Sequence, residues 1–176
     1  MRLKLFSYKK VLSTNSTAIN IIKNKGLQNG IVISDEQLKG RGRYGNKWIS
    51  LKGNLFTTVF ISLNKKFKIH RLLKINCNIV KKTLSEFLNK SIKVKKPNDL
   101  IIDKKKICGI LQELIEINGK KYLIVGIGVN IVKSPQIKDY KTTYVNKYLN
   151  KNTSKKIVFN KLKRLYEMNL KKIKCI

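Results

Sequence analysis

The sequence predicts an α+β domain, a mixed and mostly antiparallel sheet with helices packed on it. Three observations carry this. Apolar runs at 31–34, 55–63, 107–117 and 122–125 have strand length and are rich in β-branched residues. Asn118-Gly119, between the last two, is a hairpin signal. Two further stretches, 69–88 and 158–173, repeat their apolar residues at i, i+3 and i+4, the period of a helix face. The 176 residues suit a single domain over 1–176, and no internal repeat is present.

The chain begins with a strand over 2–11, in which Leu3 and Leu5 supply apolar positions. Ser13-Thr14-Asn15-Ser16-Thr17 offers several capping side chains for a helix from Ser16 to about Lys25, with Gly26 and Gly30 at its exit. Ile31 to Ser34 is the next strand, and 35–50 is a glycine- and arginine-rich loop. The uninterrupted apolar run of 55–63 predicts a central strand. The strongest helix pattern starts near Lys68 and ends near Asn89-Lys90, with His70 beside its apolar stripe. Pro97 separates short strands at 92–95 and 100–102. Asp103 to Lys106 makes a polar turn into the long strand 107–117, which returns through 122–125 into Gly126-Ile127-Gly128-Val129-Asn130. A polar connection over 131–152 precedes a last helix over 153–174.

Composition excludes several classes. No apolar run has membrane-spanning length. The N-terminal apolar residues are interrupted too early for a secretory signal, so a cytoplasmic location is expected. Cys77, Cys108 and Cys175 are dispersed, which suits reduced thiols, and the single histidine excludes a His-based metal cluster. The formal net charge is +31, with 40 Lys+Arg against 9 Asp+Glu. Such a charge suits a polyanion partner, yet the lysines are scattered and accompany heavy Asn and Ile use. That pattern also fits compositional bias, and a basic nucleic-acid-binding module stays open as an alternative.

Four polar clusters fall at strand ends: Ser13-Thr14-Asn15, 37–48, 95–99 with Lys106 and Gly109, and 126–130. Together they suggest one pocket. Arg41, Arg43, Lys106 and Lys95 can neutralise phosphates. Asp99 suits a magnesium ion held together with substrate phosphate oxygens. No Ser/His/Asp or Cys/His set is available, which favours catalysis by positioning and charge neutralisation. Each cluster also has a plain structural reading, as turn glycines, solvated cations or a turn-closing carboxylate. Their joint spacing argues for the pocket.

Gly40-Arg41-Gly42-Arg43-Tyr44-Gly45-Asn46-Lys47-Trp48 resembles the GRGRxGRxW loop of biotin protein ligases. Lys95 to Leu100 resembles that family's KWPNDL, Lys106 to Leu111 its KxxGIL, Gly126 to Asn130 its GIGxN, and Ser13-Thr14-Asn15 its STN. The five motifs stand in family order over the first three quarters of the chain. The resemblance implies a class II aminoacyl-tRNA synthetase/biotin synthetase-like fold. It also implies a two-step reaction: biotin and ATP give biotinyl-5′-AMP, and a lysine of a biotin carboxyl carrier protein takes the biotinyl group. By the same resemblance, Ser13, Thr14, Asn15, Gln37, Gly40, Arg41, Lys106 and Gly109 meet biotin. Arg43, Trp48, Asn98, Gly128 and Asn130 meet the nucleotide. Arg43, Lys106 and Asp99 carry the catalysis, with Asp99 as the magnesium ligand.

Lys96 stands where the family has Trp, and Asn46 where it has Arg. The resemblance covers neither an N-terminal DNA-binding module nor a C-terminal β-domain, so sequence-specific DNA binding is not expected, while a homodimer is compatible with it. A lipoate–protein ligase or octanoyltransferase on the same fold, with Cys108 as nucleophile, is the nearest alternative.

Overall fold

β1 (Lys4–Val11) feeds α1 (Thr14–Lys25), which carries the chain back to β2 (Asn29–Gln37) parallel to β1. The coordinates are a computed structural model and describe residues 2–63 and 67–174. β3 (Leu55–Ser62) follows the arginine-rich segment, then α2 (Ile69–Ser85), the short β4 (Lys93–Lys95) and β5 (Asp99–Ile102). β6 (Lys105–Ile117) and β7 (Lys120–Val129) form the long hairpin, and α3 (Lys155–Lys174) closes the described chain. The sheet has seven strands in the order β1-β2-β3-β7-β6-β5-β4. Only β1 and β2 pair in parallel, and every other neighbouring pair among the described residues is antiparallel. The expected α+β class and the mostly antiparallel sheet are what the chain adopts.

The two sheet faces are covered differently. α1 buries Ala18, Ile21 and Ile22 against Val32, Phe60, Tyr122 and Ile124 on one face. α2 and α3 cover the other face over a larger core that includes Val59, Leu72, Val80, Ile110, Leu162 and Leu170. Asn76, buried on α2, joins that layer: it donates to Gln112 Oε1 of β6 at 2.8 Å and accepts from the Tyr166 hydroxyl of α3 at 3.1 Å. Because α1 is only 12 residues long, it leaves the rest of its face uncovered beside β6 and β7. The polar clusters gather there.

Several boundaries differ from expectation for identifiable reasons. α1 starts at Thr14 rather than Ser16, because extended Ser13 is the N-cap and its carbonyl accepts the Thr17 N–H at 3.0 Å. α2 ends at Ser85, although Leu88 continues its apolar period. Leu88 is buried without being helical. The 131–152 connection is polar in sequence but packed in space. Ile131 and Val145 are fully buried, and Asn54 Oδ1 accepts the Ile131 and Val132 N–H groups at 2.8 and 3.1 Å. The segment then runs beside the start of β6, where Lys106 donates its N–H to Lys141 and accepts from Thr143.

Candidate active site

The uncovered part of the α1 face forms a cavity of about 410 Å³. Its floor is a pair of glycine-bearing strands. Gly109 of β6 and Gly128 of β7 are cross-strand partners, and Gly126 lies two residues along β7. A Cβ on Gly126 would stand 2.3 Å from Asn15 Oδ1, and one on Gly128 would stand 2.4 Å from Trp48 Cε2. Asn15 and the Trp48 indole therefore lie directly on the sheet backbone, where no larger residue leaves room.

The Asn15 end is a network of amides and hydroxyls that ends on the Arg41–Glu113 ion pair. Thr14 N–H donates to Gln37 Oε1 at 2.9 Å, and Gln37 Nε2 donates to Ser50 Oγ at 3.2 Å. Thr58 Oγ1 lies 2.8 Å from Thr14 Oγ1 and 2.6 Å from Asn15 Oδ1. A hydroxyl donates only one proton. The consistent assignment has Thr58 donating to Asn15 and accepting from Thr14. Asn15 Nδ2 then donates to Glu113 Oε2 at 2.6 Å, and Arg41 Nη2 reaches the same oxygen at 2.9 Å. This end presents fixed amide and hydroxyl dipoles, suited to a neutral polar head group.

The opposite end is charged. Lys106 Nζ lies 2.9 Å from Asp99 Oδ1, but outside hydrogen-bonding alignment, so the pair is an electrostatic contact. A register shift between Leu100 and Ile101 leaves Ile107 as the extra residue opposite β5. Ile107, Cys108 and Ile110 turn into the α2/α3 core, and the bulge resets the alternation so that Lys106 shares the cavity face with Gly109.

The arginine-rich segment is a small hairpin rather than an irregular loop. Trp48 N–H donates to Gly40 at 2.9 Å, Gly42 N–H donates to Asn46 at 2.7 Å, and Arg41 pairs with Lys47 between them. The tip is a 3-10 turn over Arg43–Gly45 with Tyr44 at φ 54. There Arg43 Nη2 donates to Tyr44 Oη at 2.7 Å. Arg41, Arg43 and Trp48 all line the cavity.

A neutral polar end, a glycine floor and a cationic end thus share one cavity. The model of the Biotin/lipoate A/B protein ligase family matches residues 8–130. This chain belongs to that family. It is 32% identical over 148 residues to the bifunctional ligase/repressor BirA of Bacillus subtilis, covering 77% of this chain and 45% of that one. The chain therefore spans less than half the length of this relative. The biotin protein ligase of Leishmania major in complex with biotinyl-5-AMP superposes with a TM-score of 0.81 at 28% identity, covering 94% of this chain and 74% of that one. The biotin protein ligase of Aquifex aeolicus in complex with biotin and ATP gives a TM-score of 0.81 at 29% identity, covering 97% and 72%.

Within this ligase-family domain, Ser13, Thr14, Asn15, Gln37, Arg41, Arg43, Trp48, Asn98, Asp99, Lys106, Gly109 and Gly128 all line the cavity. Lys95, expected among the phosphate-neutralising cations, is exposed on β4 and lies outside this lining. Two residues that the resemblance places in the site also do not line it. Gly40 closes the base of the hairpin, where a Cβ would stand 2.6 Å from the Trp48 carbonyl oxygen. Asn130 lies just past β7 and clasps the following segment, its Nδ2 donating to the Thr143 carbonyl at 3.0 Å. Lys96, which stands where the family has Trp, is exposed and lies outside the lining, so this side chain supplies no ring to the cavity wall. His70 is exposed on α2, as its position beside the stripe implies.

Glu113, Ser50, Thr58, Asp139 and Tyr140 were not singled out by sequence. Glu113 shares its strand parity with Gly109 and Leu111, a signal that becomes usable once the cavity face is known. Asp139 and Tyr140 come from the segment beyond the family match and carry no motif.

Cys108 is fully buried on the α2/α3 face, and burial pushes its thiol well above the usual cysteine range. It faces away from the cavity, which removes it as the nucleophile of an acyl-transfer mechanism. Cys77 is also buried, with its thiol pushed up to about 11 by burial and by the nearby Asp99. Cys175 lies outside the described residues. Cys108→Ala is expected to lower stability by about 1 kcal/mol, the cost of a small core deletion, while leaving the activity proposed below within about twofold. That activity and thermal melting measured side by side check this, and loss of activity without loss of stability would restore Cys108 to the mechanism.

Proposed function

We propose that the chain is an ATP-dependent biotin–protein ligase acting in the cytoplasm, with a lysine of a biotin carboxyl carrier protein as acceptor. The observation that carries the proposal is the polarity gradient of the cavity, from the Thr14–Gln37–Asn15 network to the Lys106–Asp99 pair. Biotin has the matching gradient, a neutral ureido ring at one end and a carboxylate at the other. The neutral network would hold the ring. Lys106, at the charged end, would draw the carboxylate toward the α-phosphate of ATP.

A carboxylate oxygen then attacks the α-phosphorus. An O–P bond forms, and the bond to pyrophosphate breaks with its electron pair leaving on pyrophosphate. Two anions must meet in this step, so the cations act by neutralising charge and holding the approach in line. The acceptor amine next attacks the carbonyl of the mixed anhydride, forms an amide and releases AMP. Asn98, Gly128 and Trp48 flank the space for the nucleoside.

Among the described residues no cluster of three His, Cys, Asp or Glu side chains exists that could hold a resident metal. Asp99, whose Oδ1 lacks an aligned donor, fits a magnesium ion brought in on the nucleotide and held mainly by phosphate oxygens. Bound there, such an ion would offset phosphate charge.

Mass spectrometry after mixing the protein with biotin and Mg·ATP tests the proposal, with biotinyl-5′-AMP as the expected product. Pyrophosphate release with lipoate and none with biotin would overturn it. Arg43→Ala is expected to release biotinyl-5′-AMP about 10–100-fold faster, because a charge-assisted hydrogen bond contributes about 1.5–3 kcal/mol. Rapid dilution with unlabelled biotin measures that rate, and release at the parental rate would remove Arg43 from this role.

A further inference from the structure

The charged end of the cavity contains an arrangement that no motif predicts. Lys106 Nζ lies 5.6 Å from the centre of the Trp48 ring and 5.1 Å from the centre of the Tyr140 ring. Both distances are within cation–π range. The three residues come from separate parts of the chain: Trp48 from the hairpin after β2, Lys106 from the start of β6, and Tyr140 from the segment after β7. Lys106 makes an ion pair with Asp99, whose Oδ1 has no aligned hydrogen-bond donor.

We propose that Tyr140 is a positioning residue for Lys106, forming with Trp48 an aromatic clamp that aims the ammonium into the cavity. The inference rests on the proposed ligase function and adds to it a residue outside the family match.

A carboxylate or carbonyl acceptor would fix the ammonium by consuming its N–H donors. An aromatic face attracts the cation through its quadrupole and consumes none. The clamp therefore restricts the flexible four-carbon side chain while leaving donors free for the incoming carboxylate and α-phosphate oxygens. Tyr140 is held for this by its own backbone. The next residue, Lys141, accepts the Lys106 N–H at 2.9 Å, and Thr143 N–H donates to the Lys106 carbonyl at 2.8 Å. Main-chain bonds thus link the clamp's outer wall to the residue it positions. At 40% exposure, Tyr140 is not held in place by core burial.

Tyr140→Leu and Tyr140→Phe in the full chain separate the ring from its hydroxyl. Tyr140→Leu is expected to slow single-turnover adenylate formation about 3–20-fold, the range set by a partly desolvated cation–π contact. Half-saturating biotin should stay within about twofold of the parent, since the neutral end of the cavity is untouched. Tyr140→Phe should restore most of the rate.

A second readout needs no activity. In the parent, the ring currents of Trp48 and Tyr140 should shift the Lys106 Hε resonances upfield. The signal is identified by its loss in Lys106→Arg. The shift should shrink in Tyr140→Leu and persist in Tyr140→Phe.

An unshifted parental Lys106 signal, a Tyr140→Leu enzyme as fast as the parent, or a Tyr140→Phe enzyme as slow as Tyr140→Leu would each overturn the clamp. A parent that forms no adenylate would count against the ligase proposal, and the resonance test would then decide the clamp by itself.

Discussion

Lys106→Met is expected to slow biotinyl-5′-AMP formation by about 10²–10³-fold, the cost of removing one preorganised donor from a site where charge builds up. Met preserves most of the aliphatic volume between Trp48 and Tyr140, so the change isolates the ammonium. The loss should fall on the adenylation rate more than on biotin binding, because the Thr14–Gln37–Asn15 network is untouched. Quenched-flow single-turnover analysis of adenylate measures it. Transfer from presynthesised biotinyl-5′-AMP to the acceptor should drop by less than about tenfold, since the anion–anion encounter has already taken place. Lys106→Arg is not expected to rescue the rate. A planar guanidinium fork presents its donors in a different geometry from an ammonium and is too wide for the same setting. An adenylation rate within about threefold of the parent in Lys106→Met would remove the residue from the proposed chemistry.

Gly128→Ala should be nearly as damaging, although it adds a single methyl group. That Cβ would stand 2.4 Å from Trp48 Cε2 and 2.5 Å from Cζ2, closer than non-bonded carbons approach. The indole must lift off the Gly109–Gly128 floor, which moves one wall of the proposed nucleotide space and one side of the proposed Lys106 clamp together. A displacement of about 1 Å at a reacting centre costs on the order of 10² in rate. We expect kcat/KM for ATP to fall by about that factor, with the melting temperature within a few degrees of the parent's. Trp48 is the single tryptophan of the chain, so its fluorescence reports the displacement directly. Parental ATP kinetics together with an unchanged emission spectrum would show that the indole does not rest on the glycine pair.

Much of the fold was legible in the sequence because its signals are local. The apolar run of β3, the hairpin dipeptide Asn118-Gly119 and the helical period of α2 each depend on residues within one element. The structure bears them out: β3 is third of seven strands and almost wholly buried, and Asn118 and Gly119 have φ of 49 and 70. Helix ends were less legible. Ser13 and Thr14 offer similar capping chemistry, and only the bond from the Thr14 N–H to Gln37, 23 residues away, commits Thr14 to the site.

The bulge at Ile107 was not legible. An alternating strand pattern puts Ile107 and Gly109 on one face, whereas the observed register turns Ile107 into the core and leaves Lys106 beside Gly109. Tyr140 was also out of reach. It lies in a polar stretch whose path is set by Asn54 and by main-chain bonds to Lys106, none of which a local pattern encodes.

By itself, then, the sequence determined the elements, their class and the motifs that carry the family relationship. The tertiary structure decided which polar residues share a surface. It seated Trp48 on Gly109 and Gly128, brought Arg41 to Glu113 across 72 residues, and set Tyr140 over Lys106. The physical reason is the range of the interactions. Propensity and period act within a few residues, whereas strand register, bulges and loop docking fix contacts between segments far apart in the chain.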